Sequence, residues 1–258
     1  MAVPTALRFV EAQALAYRRV WRASVFSNFL NPVLYLLAMG ASLGTLVDAN
    51  ADPSGFGVPY LVWLGPGLLA AQAMTTGIGE GAFPVMAGLK WRKTYHLVLQ
   101  TPLAAADVLS SILLWIGIRV LQVSATYAFI LVLFGVTDAV GALTGALIAT
   151  LTGIAYAAPM VAFTIGLQDE TGLTNVFRFG VVPMFLFSGT FFPITQLPSL
   201  VQPIAWLIPL WHGVELNRAA MISAPTTFPW VVSIAYLVVV AAVGAWWATR
   251  RFERRLVL

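Results

Sequence analysis

His212, Glu215 and Arg218 follow one another at intervals of three residues near the end of an apolar stretch, residues 185–218. On a helix, that spacing puts them on a common side. An imidazole, a carboxylate and a guanidinium together could bind a polar headgroup, relay a proton or contribute to a metal site. The metal reading is the weakest, because His96 falls on the predicted opposite side of the membrane and no further ligand cluster accompanies the pair. Two readings stay open: a hydrogen-bonded or ion-paired turn that shapes a re-entrant helix, and a gating or substrate contact. A second set is Arg119 and Glu80, each inside an apolar segment where a charge is costly and usually meets a partner or an aqueous cavity. Glu80 is expected near the cytoplasmic end of its span and Arg119 about eleven residues into the next. At about 1.5 Å per residue this separates them by roughly 15 Å, too far for direct contact. Arg119 is then the stronger candidate for an anionic substrate group. A third set, Lys90, Trp91, Arg92, Lys93, Tyr95 and Leu97, mixes cations with apolar anchors in a segment too short and too basic to span. Such a helix could dock into a soluble partner or lie on anionic lipid headgroups.

The chain that positions these groups has 258 residues, 60% hydrophobic and 9% charged. A soluble domain carries roughly 25% charged residues, so the composition belongs to a membrane protein. Cysteine is absent, which excludes disulfides, thiolate metal sites and cysteine nucleophiles. The net charge of +4 is confined to short clusters beside apolar spans, which fits a membrane surface and not nucleic acid. The only lysines, Lys90 and Lys93, lack the glycine-rich context of a phosphate-cradling loop, so any ATP hydrolysis must come from another subunit. No short apolar run with a small-residue cleavage site marks a secretory signal.

Six spans are expected, at residues 24–47, 59–83, 108–134, 141–167, 176–192 and 228–249. Residues 5–22 have the pattern of an amphipathic basic helix, with Leu7, Val10, Ala14, Tyr17 and Trp21 on one side and Arg8, Glu11, Arg18, Arg19 and Arg22 on the other. Residues 48–55 read as a loop, and Gly65-Pro66-Gly67 as a kink in the second span. Small residues every fourth position, Gly141, Gly145, Ala149, Gly153 and Ala157, let another helix approach closely. Residues 185–218 contain Pro193, Pro198, Pro203 and Pro209, so no single straight helix runs through them. Broken backbone at membrane depth must be covered by protein or line a cavity, which predicts a re-entrant element. Of the 14 Lys and Arg residues, 12 fall in the N-terminal segment, residues 88–107, residues 168–178 and the tail. The positive-inside rule then places both termini in the cytoplasm and the proline-broken stretch outside.

The order of several motifs resembles the membrane subunit of ABC-2-type exporters, in the branch with the rhizobial nodulation-factor lipo-oligosaccharide permease and drug exporters. These are Tyr60 through Gly65-Pro66-Gly67, Thr101-Pro102-Leu103 with Asp107, Ser188-Gly189-Thr190-Phe191-Phe192-Pro193, Leu197-Pro198, and Pro209-Leu210-Trp211-His212-Gly213-Val214-Glu215 ending in Arg218. The resemblance implies an all-α integral membrane protein forming one domain over residues 1–258. An interface helix at 1–23, with Arg8, Arg18, Arg19 and Trp21, would lie at the membrane surface. A coupling helix at 88–104 would touch a cytoplasmic ATPase, and outer re-entrant helices would occupy 193–222. It further implies a homodimer with two ATPase copies in a bacterial inner membrane, contact with membrane lipid, and ATP and Mg held by the partner and not by this chain. Phe187, Phe191 and Phe192 would narrow the outer end of the path.

The leading expectation is therefore an export permease for an amphipathic substrate such as a lipid-linked saccharide, with hydrophobic drug efflux as the close competitor. An intramembrane lipid-modifying enzyme using His212 and Glu215, and an ion- or proton-coupled transporter centred on Arg119 and Glu80, rank below it. Neither explains the paired amphipathic and basic helices.

Overall fold

The computed structural model describes residues 5–39, 44–50, 57–101 and 103–256. Pro102, the start of the expected interface helix, residues 40–43 of the first span and most of the expected 48–55 loop lie outside them. The described residues are helical with no strand. In chain order the α-helices are α1 (Thr5–Tyr17), α2 (Trp21–Leu36), α3 (Gly44–Asn50), α4 (Tyr60–Met86), α5 (Thr94–Val98), α6 (Ala105–Leu133), α7 (Ala139–Gly166), α8 (Thr171–Asn175), α9 (Val182–Phe187), α10 (Gln202–Trp206), α11 (Pro209–Ile222) and α12 (Trp230–Leu256). Five stretches are long and apolar enough to cross a membrane: Trp21–Ala49, Tyr60–Trp91, Ala105–Leu133, Ala139–Gly166 and Trp230–Arg255. The sixth, Thr171–Phe187, is shorter and begins five residues before the expected span; it joins α8 to α9 through a π-helical turn, Val176–Val181.

Helix α7 is the centre of the bundle, packed against α4, α6, α11 and α12. Its start is fixed by Asp138, whose side chain accepts from the Gly141 amide at 2.7 Å, the usual way of satisfying an orphan N–H. The small-residue repeat does what its spacing predicts. A Cβ on Gly153 would stand 2.7 Å from the Ala73 carbonyl oxygen, and one on Gly77 2.9 Å from the Gly153 carbonyl carbon, so α4 and α7 touch backbone to backbone. Pro159 inside α7 faces Gly244 of α12, where a Cβ would meet the proline ring at 2.8 Å. Glycine opposite proline lets two long helices stay in contact across the bulge.

Several expected boundaries shift. Helix α4 runs unbroken through Pro66 and Pro84, and a π-helical turn, Ala87–Trp91, extends it further. Membrane helices tolerate proline where neighbours cover the freed backbone. Gly65-Pro66-Gly67, where a kink is expected, lies within the continuous helix. Where one helix over 88–104 is expected, the chain finishes α4, reverses at Lys93 in the left-handed region (φ 52°), and adds only the five-residue α5. Asp48 and its neighbours are helical, and the Asp48 Oδ1 accepts from the Tyr60 amide at 2.9 Å, holding the start of α4. Residues 18–20 form a turn that divides the expected N-terminal helix, so Trp21 belongs to α2. The side of α1 that packs holds Phe9 and Tyr17, in edge contact with Tyr95 and Trp115, while Leu7, Ala14 and Trp21 stay exposed.

Candidate functional site

One end of the bundle gathers the basic segments. Tyr95 stands between Phe9 and Phe252, with ring centroids 6.3 Å and 6.0 Å away, so α1, α5 and the end of α12 meet on one phenol. Burial pushes that phenol well above its ordinary pKa, which keeps it neutral. The Lys90 ammonium donates to the Gln168 carbonyl, and the Arg255 guanidinium to the carbonyls of Ile165 and Leu167 at the end of α7. The predicted docking residues therefore divide. Trp91, Arg92, Lys93 and Leu97 face outward, whereas Tyr95 is a buried anchor and Lys90 ties the segment to the α7–α8 link. Arg8, Arg18, Arg19 and Trp21 are all exposed.

Deeper in the bundle, Arg119 and Glu80 pair directly, at 3.0 Å. The expected 15 Å separation is wrong because α4 does not end near Phe83. It continues to Trp91, so Glu80 lies eleven residues from that end and Arg119 fourteen from the start of α6. The depths differ by only about 4.5 Å, which two long side chains span. Arg119 also donates to Gln122 Oε1 (2.8 Å) and Ser24 Oγ (2.9 Å), and its guanidinium lies 4.1 Å from the centre of the Tyr17 ring. Gln122 in turn donates to the Tyr17 hydroxyl at 3.1 Å. A guanidinium so occupied is a tie between α1, α2, α4 and α6, not a free anion receptor.

At the opposite end, His212, Glu215 and Arg218 share no hydrogen-bond partner, and only Glu215 and Arg218 line a common cavity. Each step of three residues falls about 60° short of a full turn, so across two steps the side chains fan apart. His212 is buried among Trp211, Phe228 and Tyr236. Its Nε2 is 3.0 Å from the Trp206 carbonyl, which only accepts, so that nitrogen carries the proton and Nδ1 faces the Ser233 hydroxyl at 3.0 Å. Burial pushes the imidazole pKa down, in keeping with a neutral ring that bolts α10 to α11 and α12. Glu215 Oε1 accepts from both the amide and hydroxyl of Thr227, closing the 223–227 loop over α11. Burial raises the Glu215 carboxyl pKa, with the two Thr227 donors and the Arg218 charge acting the other way.

Arg218 reaches toward α4 instead. Its guanidinium lies 3.4 Å from the centre of the Trp63 ring, with Nε donating to the Trp63 carbonyl (3.2 Å) and Nη2 to the Thr190 carbonyl (3.1 Å). This explains Gly67 and the Ser188-Gly189-Thr190 turn. A Cβ on Gly67 would sit 3.1 Å from Arg218 Nη2 and 3.2 Å from the Thr190 oxygen, and Gly189 has φ 76°, which favours glycine. Tyr60 hydroxyl donates to the Phe191 carbonyl at 3.2 Å, a second clasp between α4 and this turn. Phe191 packs edge-on against Phe185 at 4.9 Å and is half-buried like Phe192, while Phe187 is exposed. Of these partners, Tyr60 and Thr190 belong to the motifs already named, whereas Trp63 does not stand out in the sequence; it stands one helical turn before Gly67, the only local sign of a common face.

Together these features define a polytopic α-helical membrane protein with a basic end, an ion pair within the bundle and a proline-broken cap between its last two long apolar segments. The chain belongs to the ABC-2 type transporter family, whose pattern it matches over residues 7–222. It is similar to Nodulation protein J of Rhizobium meliloti (strain 1021), 28% identical over 211 residues that cover 82% of this chain and 79% of that protein. The Nodulation protein J of Rhizobium leguminosarum bv. viciae is likewise 28% identical over 82% of this chain and 80% of its own length. That of Bradyrhizobium diazoefficiens is 27% identical over 209 residues, covering 81% and 78%. The family expected from the motif order is thus the family found.

Proposed function

We propose that the chain is the membrane permease of an ATP-driven exporter, working as a homodimer with two copies of a separate cytoplasmic ATPase that holds ATP and Mg. The observation that supports this most is the family match over 7–222, which runs from α1 to the end of α11. Trp91, Arg92, Lys93 and Leu97 offer exposed apolar anchors among cations at the end of the bundle where the basic tail also lies, a surface suited to an ATPase groove. Tyr95 and Lys90 would transmit its motion, because they join that surface to α1, α12 and the α7–α8 link. The termini are cytoplasmic by the charge distribution, in a bacterial inner membrane. The cargo is an amphipathic molecule, a lipid-linked saccharide, with hydrophobic drug efflux the nearest alternative. Similarity to Nodulation protein J supports the first. A catalytic use of His212 has little support, since both ring nitrogens are engaged and the residue is 3% exposed.

The test is reversal of Arg92 and Lys93 to glutamate. Partner-stimulated ATP turnover in reconstituted vesicles should fall severalfold while membrane insertion is unchanged. Unaltered coupling would count against the reading.

A further inference from the structure

The cap between the last two spans encloses a cavity of about 560 Å³, within the range of small-ligand pockets. Its walls include Trp63, Trp206, Trp211, Gln202, Glu215 and Arg218. Three indoles on one small cavity are notable because Trp63 and Trp211 are buried, while Trp206 is 36% exposed and meets Phe228 only edge-on, at 77°. Trp206 thus lines the cavity with part of its surface left uncovered by the protein. The polar groups are not fully used by the protein. Glu215 Oε2 is buried with no hydrogen-bond partner among the described residues, although Oε1 is taken by Thr227. Arg218 spends Nε and Nη2 on carbonyls, leaving Nη1 without an acceptor among the described residues. An unpartnered buried acceptor is costly, and a donor from a ligand would offset that cost.

The charge pattern narrows the ligand. One carboxylate and one guanidinium on the same wall favour neither a cation nor an anion of single charge. Both suit a neutral polyhydroxyl ring, whose hydroxyl groups donate to a carboxylate and accept from a guanidinium. The C–H-bearing face of such a ring is weakly positive and fits the negative face of an indole. We infer that this cavity is a binding subsite for one saccharide unit, stacked on Trp206 and hydrogen-bonded by Glu215 and Arg218. The inference deepens the export reading, since the sugar would be the polar part of the cargo after it reaches the outer end of the path.

The experiment is saturation-transfer NMR on the purified chain in nanodiscs free of glycolipid, with glucose-, mannose- and N-acetylglucosamine-based neutral trisaccharides as probes. At least one should bind saturably, and Trp206→Ala and Glu215→Gln should each weaken it by about tenfold, as loss of one well-packed contact does. Trp246→Ala, on the exposed surface of α12, should not. Glu215→Gln keeps the side chain's shape, so its effect is separable from misfolding. No binding of any probe, binding indifferent to Trp206→Ala and Glu215→Gln, or displacement by tetramethylammonium or inorganic phosphate at equal concentration would overturn the assignment. Binding to the chain alone needs no ATPase, so a failure here leaves the export reading standing. Loss of ATP-driven transport in a chain that still binds sugar would strike the export reading alone.

Discussion

Replacing Glu80 by leucine removes the carboxylate that faces Arg119 at 3.0 Å. The two side chains are only 21% and 10% exposed, so solvent screens the pair weakly. Breaking a buried ion pair from one side costs about 3 to 5 kcal/mol, and the low end applies because Arg119 keeps Gln122, Ser24 and the Tyr17 ring. A loss of about 3 kcal/mol corresponds to roughly a hundredfold in the folding equilibrium. Arg119→Met should cost a similar amount, since it strands Glu80 and unties α1 and α2. The double variant, with both charges gone, should fall short of the summed losses by about 2 kcal/mol, because contacting residues couple on that scale. The assay is equilibrium denaturant titration of the purified chain in mixed micelles, followed by tryptophan fluorescence. If the double variant loses the plain sum, within about 0.5 kcal/mol, the two residues are not coupled and the tie between the four helices is refuted.

Gly153→Leu would drive a side chain into the Ala73 carbonyl, so it should cost about 1 to 3 kcal/mol or more, read in the same titration, whereas Gly79→Ala, with open space around its Cβ position, should be silent. Arg218→Lys keeps the charge but not the planar stack on Trp63 or the two-carbonyl fork; it should lower stability by about 1 to 2 kcal/mol and raise protease sensitivity in the 188–193 turn, and full rescue by lysine would contradict the clasp. Because burial raises the Glu215 carboxyl pKa, its ionised form is less favoured in the folded chain than in the unfolded one. Stability should therefore be fullest below the ordinary carboxylate range and decline as pH rises through the raised value, a dependence that Glu215→Gln should flatten.

Length and apolarity were enough to place α6 and α7 within three residues of their observed ends, since each is one uninterrupted apolar run. The small residues of α7 were equally legible, because a missing side chain has one dominant meaning where helices cross. The expected end of the second span, at residue 83, falls short of where α4 and its π-helical extension stop. Pro66 and Pro84 signal breaks in a soluble helix, yet here the bundle covers the freed backbone and the helix runs on to Trp91. That error in one boundary moved Glu80 by several residues and hid its pairing with Arg119. The 185–218 stretch was legible as broken, and its components are indeed the short helical turn at Ile194–Gln196, α10 and α11. Which side each polar group takes was not, because His212, Glu215 and Arg218 find their partners on α12, the 223–227 loop and α4, elements distant from one another in sequence.

On the proposed function, the permease moves its cargo only when an ATPase partner drives it. The assay uses vesicles that contain the chain with the ATPase proposed as its partner, loaded with a fluorescent lipid-linked oligosaccharide in the leaflet that faces the ATPase. Translocation should need hydrolysable ATP and disappear when the ATPase is omitted. Translocation by the chain alone, or chemical turnover of the lipid by the chain alone, would contradict it.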